Sequence, residues 1–541
     1  MAASLLLSTA TVADAKWLRA ESKNFILYSD GTEAEVKTQA EKLEKFAFVL
    51  RAVSNRKVAE SPVKLKVYQV GDLSDLNAVL DGYGGGTLAY YVRHVRGAYV
   101  VAPERAEKVD PRLARRSSVQ EMVFTGDDSM YHEITHHFMY QYFPGAYPTW
   151  YSEGFAEFYG SFNIDENSKV LLGKPQKGRI ENLGYGEWLP VEKLLKGRSY
   201  ADFGSNIGLL YAEGWLLVHY ADGNPIRGPQ LKQYLTDINA GKPFAKAAEA
   251  FGDLKLLDNE LRNYARRNTM DQRAFAFKAI DPGPVKIEAM SPAEVALWKL
   301  DADITGGVRQ ADAARFATRV RAAAAPFPND PYALRMLTEV ETMSDDRVKA
   351  AAALSRWLAA KPQDPLALMF KANAELAALK EQKVPAGDPR WDAARQGLLT
   401  ANKLAKQEPR IHVAIYNSFE TEGVMAPAYA QSALAFAHRV SPSDNALRKK
   451  VAVDYEKRGM IAEAIATVRP AAVMLKSQEE MTEKEKSDRE KGRAMALKDP
   501  DKYRRAGEPL DLESARDVLD RLEKKKAAAG GTATPVASTG Q

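Results

Sequence analysis

The chain has 541 residues, more than one hydrophobic core usually organises, and its 45% hydrophobic and 27% charged content is that of a globular protein. A wholly disordered or fibrous chain is excluded and two or three domains are expected; the 76 basic and 71 acidic side chains are interspersed, and their net +5 does not imply a nucleic-acid partner. With no cysteine, disulfides, thiolate metal sites and cysteine nucleophiles are excluded, so any metal must be held by His, Asp or Glu.

The opening MAASLLLSTATVADAKW is a short apolar run followed by Ala13, Asp14 and Ala15, the small-x-small form of a signal-peptidase site, without the basic residues that normally precede it. Residues 1–16 are therefore expected to be a signal-like segment and the protein periplasmic or secreted, with the cytoplasm as the alternative. No later stretch has the roughly 18 apolar residues a membrane span needs. Residues 24–28 (NFILY) predict a strand, Glu33–Val53 a helix, and residues 63–70 (VKLKVYQV) a second strand. After the break at Gly84, Gly85 and Gly86, residues 87–92 and 97–102 predict a hairpin, completing a small α/β lobe.

From Asp128 helical patterns dominate, with a turn-rich stretch at 143–149 and an apolar helix at 211–222 (YAEGWLLVHYAD) in a second, all-helical lobe ending near Arg267. Beyond Ser291 the chain becomes Ala-rich, and PNDPYAL at Pro328 recurs as PQDPLAL at Pro362, a period of 34 residues. This resembles tetratricopeptide helix-turn-helix repeats. A weaker echo at 442–447 (PSDNAL) is out of phase and requires an insertion around residues 383–391; an irregular helical bundle is the alternative. The dense charges of 478–499 predict a solvated helix or linker, and residues 524–541 a disordered tail.

The chemistry is carried by His132-Glu133-Ile134-Thr135-His136, an HExxH sequence preceded by Asp127, Asp128 and Ser129 as N-cap candidates. On a helix, positions four apart lie about 40° apart in projection, so the two imidazoles can share a metal while Met130, Ile134 and Phe138 face a core on the other side. HExxH alone is a weak signal and needs a third ligand. Sixteen residues separate His136 from Glu153 in WYSEGFAEF, where Glu153 and Glu157 are again four apart, and PGAYPT between supplies a turn.

These segments resemble the gluzincin zinc metallopeptidases, particularly the membrane-alanyl-aminopeptidase family with its WLNEGFA-like segment after HExxH. The resemblance covers residues 17–267 and is specific between 128 and 217. It implies one zinc held by His132, His136 and Glu153, with Glu133 as general base and Glu157 orienting the first histidine. It also implies Tyr211 of YAEGW, 58 residues past Glu153, as the donor that stabilises the tetrahedral intermediate; Tyr211 as a core aromatic is the alternative. The connection between ligands is shorter than usual in the family, and no GxMEN-type segment is present to grip a free amino terminus, which speaks against exopeptidase action. Residues 84–92 are the candidate edge strand for an extended peptide.

Of the other histidines, His137 is expected to pack or support a ligand, His219 to cap a carbonyl, and His94, His412 and His438 to be structural. The expected fold is α+β: a thermolysin-like two-lobe metallopeptidase domain (17–280), an all-α tetratricopeptide-like repeat domain (281–475) and a charged helical segment (476–523). The expected function is metal-assisted hydrolysis of a peptide or protein substrate, the repeats recruiting substrate or a protein partner. The alternative is a catalytically silent peptidase-like scaffold whose repeats bind protein partners.

Overall fold

The computed structural model describes residues 17–54, 60–79, 87–104, 126–165, 168–175, 177–184, 187–267, 270 and 272–528. The signal-like segment, the triple-glycine break and residues 529–541 of the expected tail lie outside them. Strands β1 (Leu18–Glu21), β2 (Phe25–Ser29), β3 (Leu65–Val70), β4 (Tyr90–Val92) and β5 (Tyr99–Pro103) join β9 (Lys286–Ala289) in a mixed sheet of order β4-β5-β3-β2-β1-β9. Helix α1 (Glu33–Val53), opened by a reciprocal Thr32–Glu35 capping box, crosses from β2 to β3 and makes that pair parallel. A short helix, α2 (Leu73–Val79), follows β3.

Successive side chains of the central strands point to opposite faces, and both faces are covered. Val67 and Val100 join the apolar side of α1 and helix α3 (Gly126–Tyr142), while Tyr68, Tyr99 and Val101 pack under Trp298 on the other face. Met130, Ile134 and Phe138 of α3 are buried in the first of these layers, which leaves His132 and His136 on the opposite side of the helix. The helix begins at Gly126, so Asp127, Asp128 and Ser129 lie within its first turn rather than at the N-cap. Asp127 there accepts from Gln39 at 2.9 Å and pairs with Lys42 at 2.9 Å, locking α3 onto α1.

The second lobe carries α4 (Thr149–Gly160), α5 (Lys177–Gly184), α6 (Val191–Lys196), α7 (Ile207–Ala221), α8 (Arg227–Asn239), α9 (Phe244–Ala248) and α10 (Leu254–Ala265). It also holds a small sheet of β6 (Asn163–Ile164), β7 (Lys169–Leu172) and β8 (Arg273–Ala276), so it is not all-helical as expected. Strand β9 lies past the expected boundary at residue 280 and closes the main sheet, Ala289 opposite Leu18. Both β1 and β9 are only four residues long, too short for a reliable alternation signal; β1 pairs with β2 on one side and with β9 on the other, and β9 has β1 as its partner in the sheet.

Then come α11 (Pro292–Gly306) and α12 (Gln310–Ala324), followed by four antiparallel hairpins. These are α13 (Pro331–Met343) with α14 (Arg347–Ala360), α15 (Pro365–Glu381) with α16 (Pro389–Leu404), α17 (Pro409–Glu422) with α18 (Ala428–Val440), and α19 (Asn445–Lys457) with α20 (Ile461–Ala472). The repeated Asp-Pro explains the recurring start: Asp330 and Asp364 each accept two amides of the first turn, and the proline occupies the first helical position. The long connection at 382–388, together with the longer helices α15 and α16 on either side of it, throws the third echo out of phase.

Beyond the hairpins, α21 (Glu483–Lys498) is a largely exposed charged helix, and α22 (Pro500–Tyr503) leads to α23 (Ala515–Ala528). The disordered tail expected from Lys524 is corrected over its first five residues, which continue α23. Val518, Leu519 and Leu522 are buried against Ile465 and Val468 of α20, and that anchor carries the Lys- and Ala-rich turn along as helix. Among the described residues no helix is long and apolar enough to cross a membrane.

The helical half is clamped to the sheet by the β4–β5 turn. Arg96 donates to Asp301 of α11 at 2.9 Å and to Thr305 at 3.3 Å, and pairs with Glu339 of α13. Arg335 holds the other oxygen of Asp301 at 2.8 Å and lies 3.3 Å from Glu339. One residue before Arg96, the amide of Val95 donates to Asp444 at 2.8 Å, and the other Asp444 oxygen caps α19 through Leu447 N–H at 3.0 Å.

Candidate metal centre

Helices α3 and α4 are joined by the proline-bearing turn and approach closely at Gly160, while Gly154 brings α4 onto α7. A Cβ on Gly160 would lie 3.1 Å from the His132 amide, and one on Gly154 would lie 2.3 Å from the Gly214 carbonyl of α7. The glycine of YAEGW is thus a backbone crossing point, since a Cβ on Gly214 would sit 2.5 Å from the Trp150 carbonyl. This approach brings Tyr211, three residues before Gly214, to the His132 ring, with centroids 6.1 Å apart.

His132 Nε2 lies 3.1 Å from both His136 Nε2 and Glu153 Oε2, and His136 Nε2 lies 3.4 Å from the same carboxylate oxygen. Two imidazole nitrogens and one carboxylate oxygen therefore form a compact triangle at the floor of a cleft of about 520 Å³. Ligand atoms of a tetrahedral ion with bonds of about 2.05 Å stand roughly 3.3 Å apart, so the donor set and its spacing fit zinc.

The groups behind the triangle orient it. Glu157 Oε1 lies 3.3 Å from His132 Nδ1, and its other oxygen accepts from Arg179 Nε at 2.9 Å. His136 Nδ1 is hydrogen-bonded to Ser152 Oγ at 3.2 Å, and that hydroxyl is 2.9 Å from Tyr140 OH. Tyr200, on a 3-10 turn, donates to the free oxygen of Glu153 at 2.6 Å. Arg179 also lies over the Tyr211 ring at 4.7 Å.

Burial would push the His132 imidazole down, but hydrogen bonds to Glu153 and Glu157 outweigh it and hold it up at about 10 in the metal-free protein. Burial likewise works against Glu153 and Glu157. The His136 and His132 imidazoles nevertheless keep Glu153 well below the ordinary carboxylate range, and Arg179 and His132 hold Glu157 at about 2. Glu133 behaves oppositely. Burial raises its pKa, and the neighbouring imidazoles only partly offset that. Anionic ligands beside a carboxyl of raised pKa suit a metal site with a general base. Replacing Glu157 by Gln is expected to weaken zinc binding by about 10–100-fold, measured by competition with a chromophoric chelator; unchanged affinity would remove Glu157 from the site.

The structure brings His132, Glu133, His136, Glu153 and Tyr211 to one cleft, with Glu157 buried behind His132. Sequence reasoning misses Tyr200, Ser152, Tyr140 and Arg179. Tyr140, four residues past His136, and Ser152, next to Glu153, had a helical signal, whereas Tyr200 and Arg179 come from short elements without a motif. His137 pairs with Tyr91 OH at 3.2 Å; His219 is buried between the Gly173 carbonyl at 3.0 Å and Tyr264 OH at 2.8 Å. His412 donates to the Lys406 carbonyl at 2.9 Å.

The roof of the cleft comes from the helical half. Ser443, Asn445 and Arg448 at the start of α19, with Pro470, Ala471 and Met474 near the end of α20, face the edge strand β4 and the metal triangle. The repeats are therefore a wall of the cleft and not a separate arm.

No family model and no curated protein sequence matches the chain. Among solved structures, it aligns with a thermophilic TPR protein of Thermus thermophilus at 19% identity, covering 38% of this chain and 98% of that one, with a TM-score of 0.29. It also aligns with pilF of Pseudomonas aeruginosa at 16% identity, covering 44% and 93% respectively, with a TM-score of 0.27.

Proposed function

We propose that the chain is a zinc-dependent peptidase of the gluzincin type, built on a thermolysin-like two-lobe core. The observation that carries this is the convergence of His132 Nε2, His136 Nε2 and Glu153 Oε2 at tetrahedral spacing in a cleft that Glu133 also lines. Zinc held by these three groups supplies Lewis acidity to water and to the scissile carbonyl. Glu133 takes the proton of the attacking water and returns it to the leaving amine, a task suited to a carboxyl of raised pKa. Tyr211, kept neutral by burial, turns its hydroxyl proton from Tyr200, whose own proton is held by Glu153, to the oxyanion as it forms. Strand β4 is an edge of its sheet and lines the cleft through Tyr90 and Tyr91, so an extended peptide can add to it as a further strand.

Digestion of a peptide library with and without chelator, together with metal analysis of the purified protein, tests this. The expected result is one zinc per chain, chelator-sensitive cleavage, and loss of both metal and cleavage in His132→Ala. Metal-free protein that cleaves nothing even after zinc is added would overturn it.

A second reading is a catalytically silent scaffold whose hairpins bind protein partners. It draws on a groove of about 440 Å³ along the first helices of successive hairpins, lined in part by Met369, Asn373, Ala377, Val413 and Asn417. Metal-free protein that retains peptide partners would favour it.

A further inference from the structure

Two of the arginines lining the cleft lack a counter-charge. Arg93 lies on the exposed turn after β4, its guanidinium 4.4 Å from the Tyr140 ring centre. Arg448, on α19 of the opposite wall, is 94% buried because only 6% of it is exposed. It donates to the carbonyls of Thr467 and Pro442 at 3.2 and 2.5 Å, and its Nε has no partner. Among the described residues neither cation has a carboxylate partner. Arg198, also in the cleft wall, is different: it is paired with Glu480 and donates to the Leu475 carbonyl.

The placement is structural and not a chance of two flexible side chains. Asp444 ties the β4–β5 turn to the start of α19 through Val95 N–H, and its own oxygens are taken up by that bond and by the helix cap. Ser443 and Asn445, flanking Asp444, bring the N-terminal end of the 13-residue α19 to the same wall. An anion there meets two guanidinium groups and the positive end of a helix. Burial and then the charge of Arg93 pull the pKa of Arg448 down to about 10, as expected of a cation held without a partner beside another cation.

We propose that Arg93 and Arg448 form a carboxylate-binding subsite, so that the substrate carries an acidic group close to the bond that is cut. The position follows from Tyr140, whose ring lies between Arg93 and His136, 6.3 Å from the His136 ring centre. The Arg93 guanidinium is thus within about 11 Å of the His136 ring centre, some three residues of extended peptide at roughly 3.3 Å each. The carboxylate belongs to an acidic side chain or to the peptide's C-terminus. The inference rests on the peptidase reading for its substrate class.

The test is equilibrium binding to the full-length Glu133→Gln variant, which separates recognition from turnover. The probes are fluorescein-labelled octapeptides of one neutral sequence: amidated, amidated with a single Glu scanned along the chain, and with a free C-terminal carboxylate. The expected result is about 10–100-fold tighter binding of an acidic form than of the neutral amide, with the preference collapsing in Arg93→Gln and in Arg448→Gln. Preference for the Glu peptides assigns the side chain, and preference for the free acid assigns the terminus. Equal affinities, no binding by any form, or a preference that survives Arg93→Gln, an exposed position whose variant leaves the core intact, would overturn the subsite. Acid preference without cleavage by the wild type sinks the peptidase reading alone; cleavage without acid preference sinks the subsite alone.

Discussion

Glu133→Gln is expected to lower peptide hydrolysis by about 10²–10⁴-fold, the usual contribution of a positioned general base, while the protein keeps its zinc. The metal-facing atoms are His132 Nε2, His136 Nε2 and Glu153 Oε2, all within 4.8 Å of one another, and Glu133 is not among them although it lines the same cleft. An amide of nearly equal volume preserves the packing but cannot take a proton from water. Glu153→Ala should behave differently, losing both metal and activity, because it removes one corner of the triangle and leaves Tyr200 without its acceptor. Metal content by elemental analysis and initial rates on a cleaved library peptide separate the two. Wild-type rates in the Glu133→Gln variant would remove Glu133 from the chemistry even if zinc were present.

What the sequence made legible was local. Helix α1 is predicted at the residues where it forms, because a capping box and helical apolar spacing act within one segment. His132 and His136 are paired by helical geometry alone, and Glu153 is framed by a motif two turns long. The Asp-Pro starts of α13 and α15 are equally local, which is why the 34-residue period could be counted. Apart from Tyr140, Ser152 and the small β6–β7 hairpin, the failures are long-range. Strand β9 is held by its pairing with β1 across some 270 residues, α23 is held by a face of α20, and Arg179 reaches Glu157 from a short helix with no pattern of its own. The roof over the cleft belongs to the same class, since nothing local in residues 443–448 announces that they face His132 and His136.

Asp301→Asn is expected to destabilise the protein by about 3–5 kcal/mol, the cost of removing one partner from a buried ion network. Asp301 is 7% exposed and stands between Arg96 and Arg335, each within 3 Å of one of its oxygens, with Tyr332 OH at 3.1 Å. The neutral amide leaves the two buried guanidinium groups with Glu339 as their paired carboxylate, and turns an NH2 donor toward one of them in place of an acceptor oxygen. Burial by itself would raise the Asp301 carboxyl, but Arg335 and Arg96 hold it far below its usual value. Its folded pKa therefore lies below the unfolded value of about 3.9, so its stabilisation is complete above that pH and is lost progressively as pH falls below it. The midpoint of urea unfolding should drop in the variant at pH 7 and lose part of its dependence on pH below 4; an unchanged midpoint would mean that Glu339 alone satisfies both arginines. Arg96 sits one residue from Val95, whose amide holds Asp444 at the start of α19, so this network also fixes how the helical half roofs the metal cleft. At pH 7 and low temperature, where the variant stays folded, a loosened turn should weaken peptide binding before it changes zinc content, because the triangle itself is built from α3 and α4 and touches neither Arg96 nor Asp301.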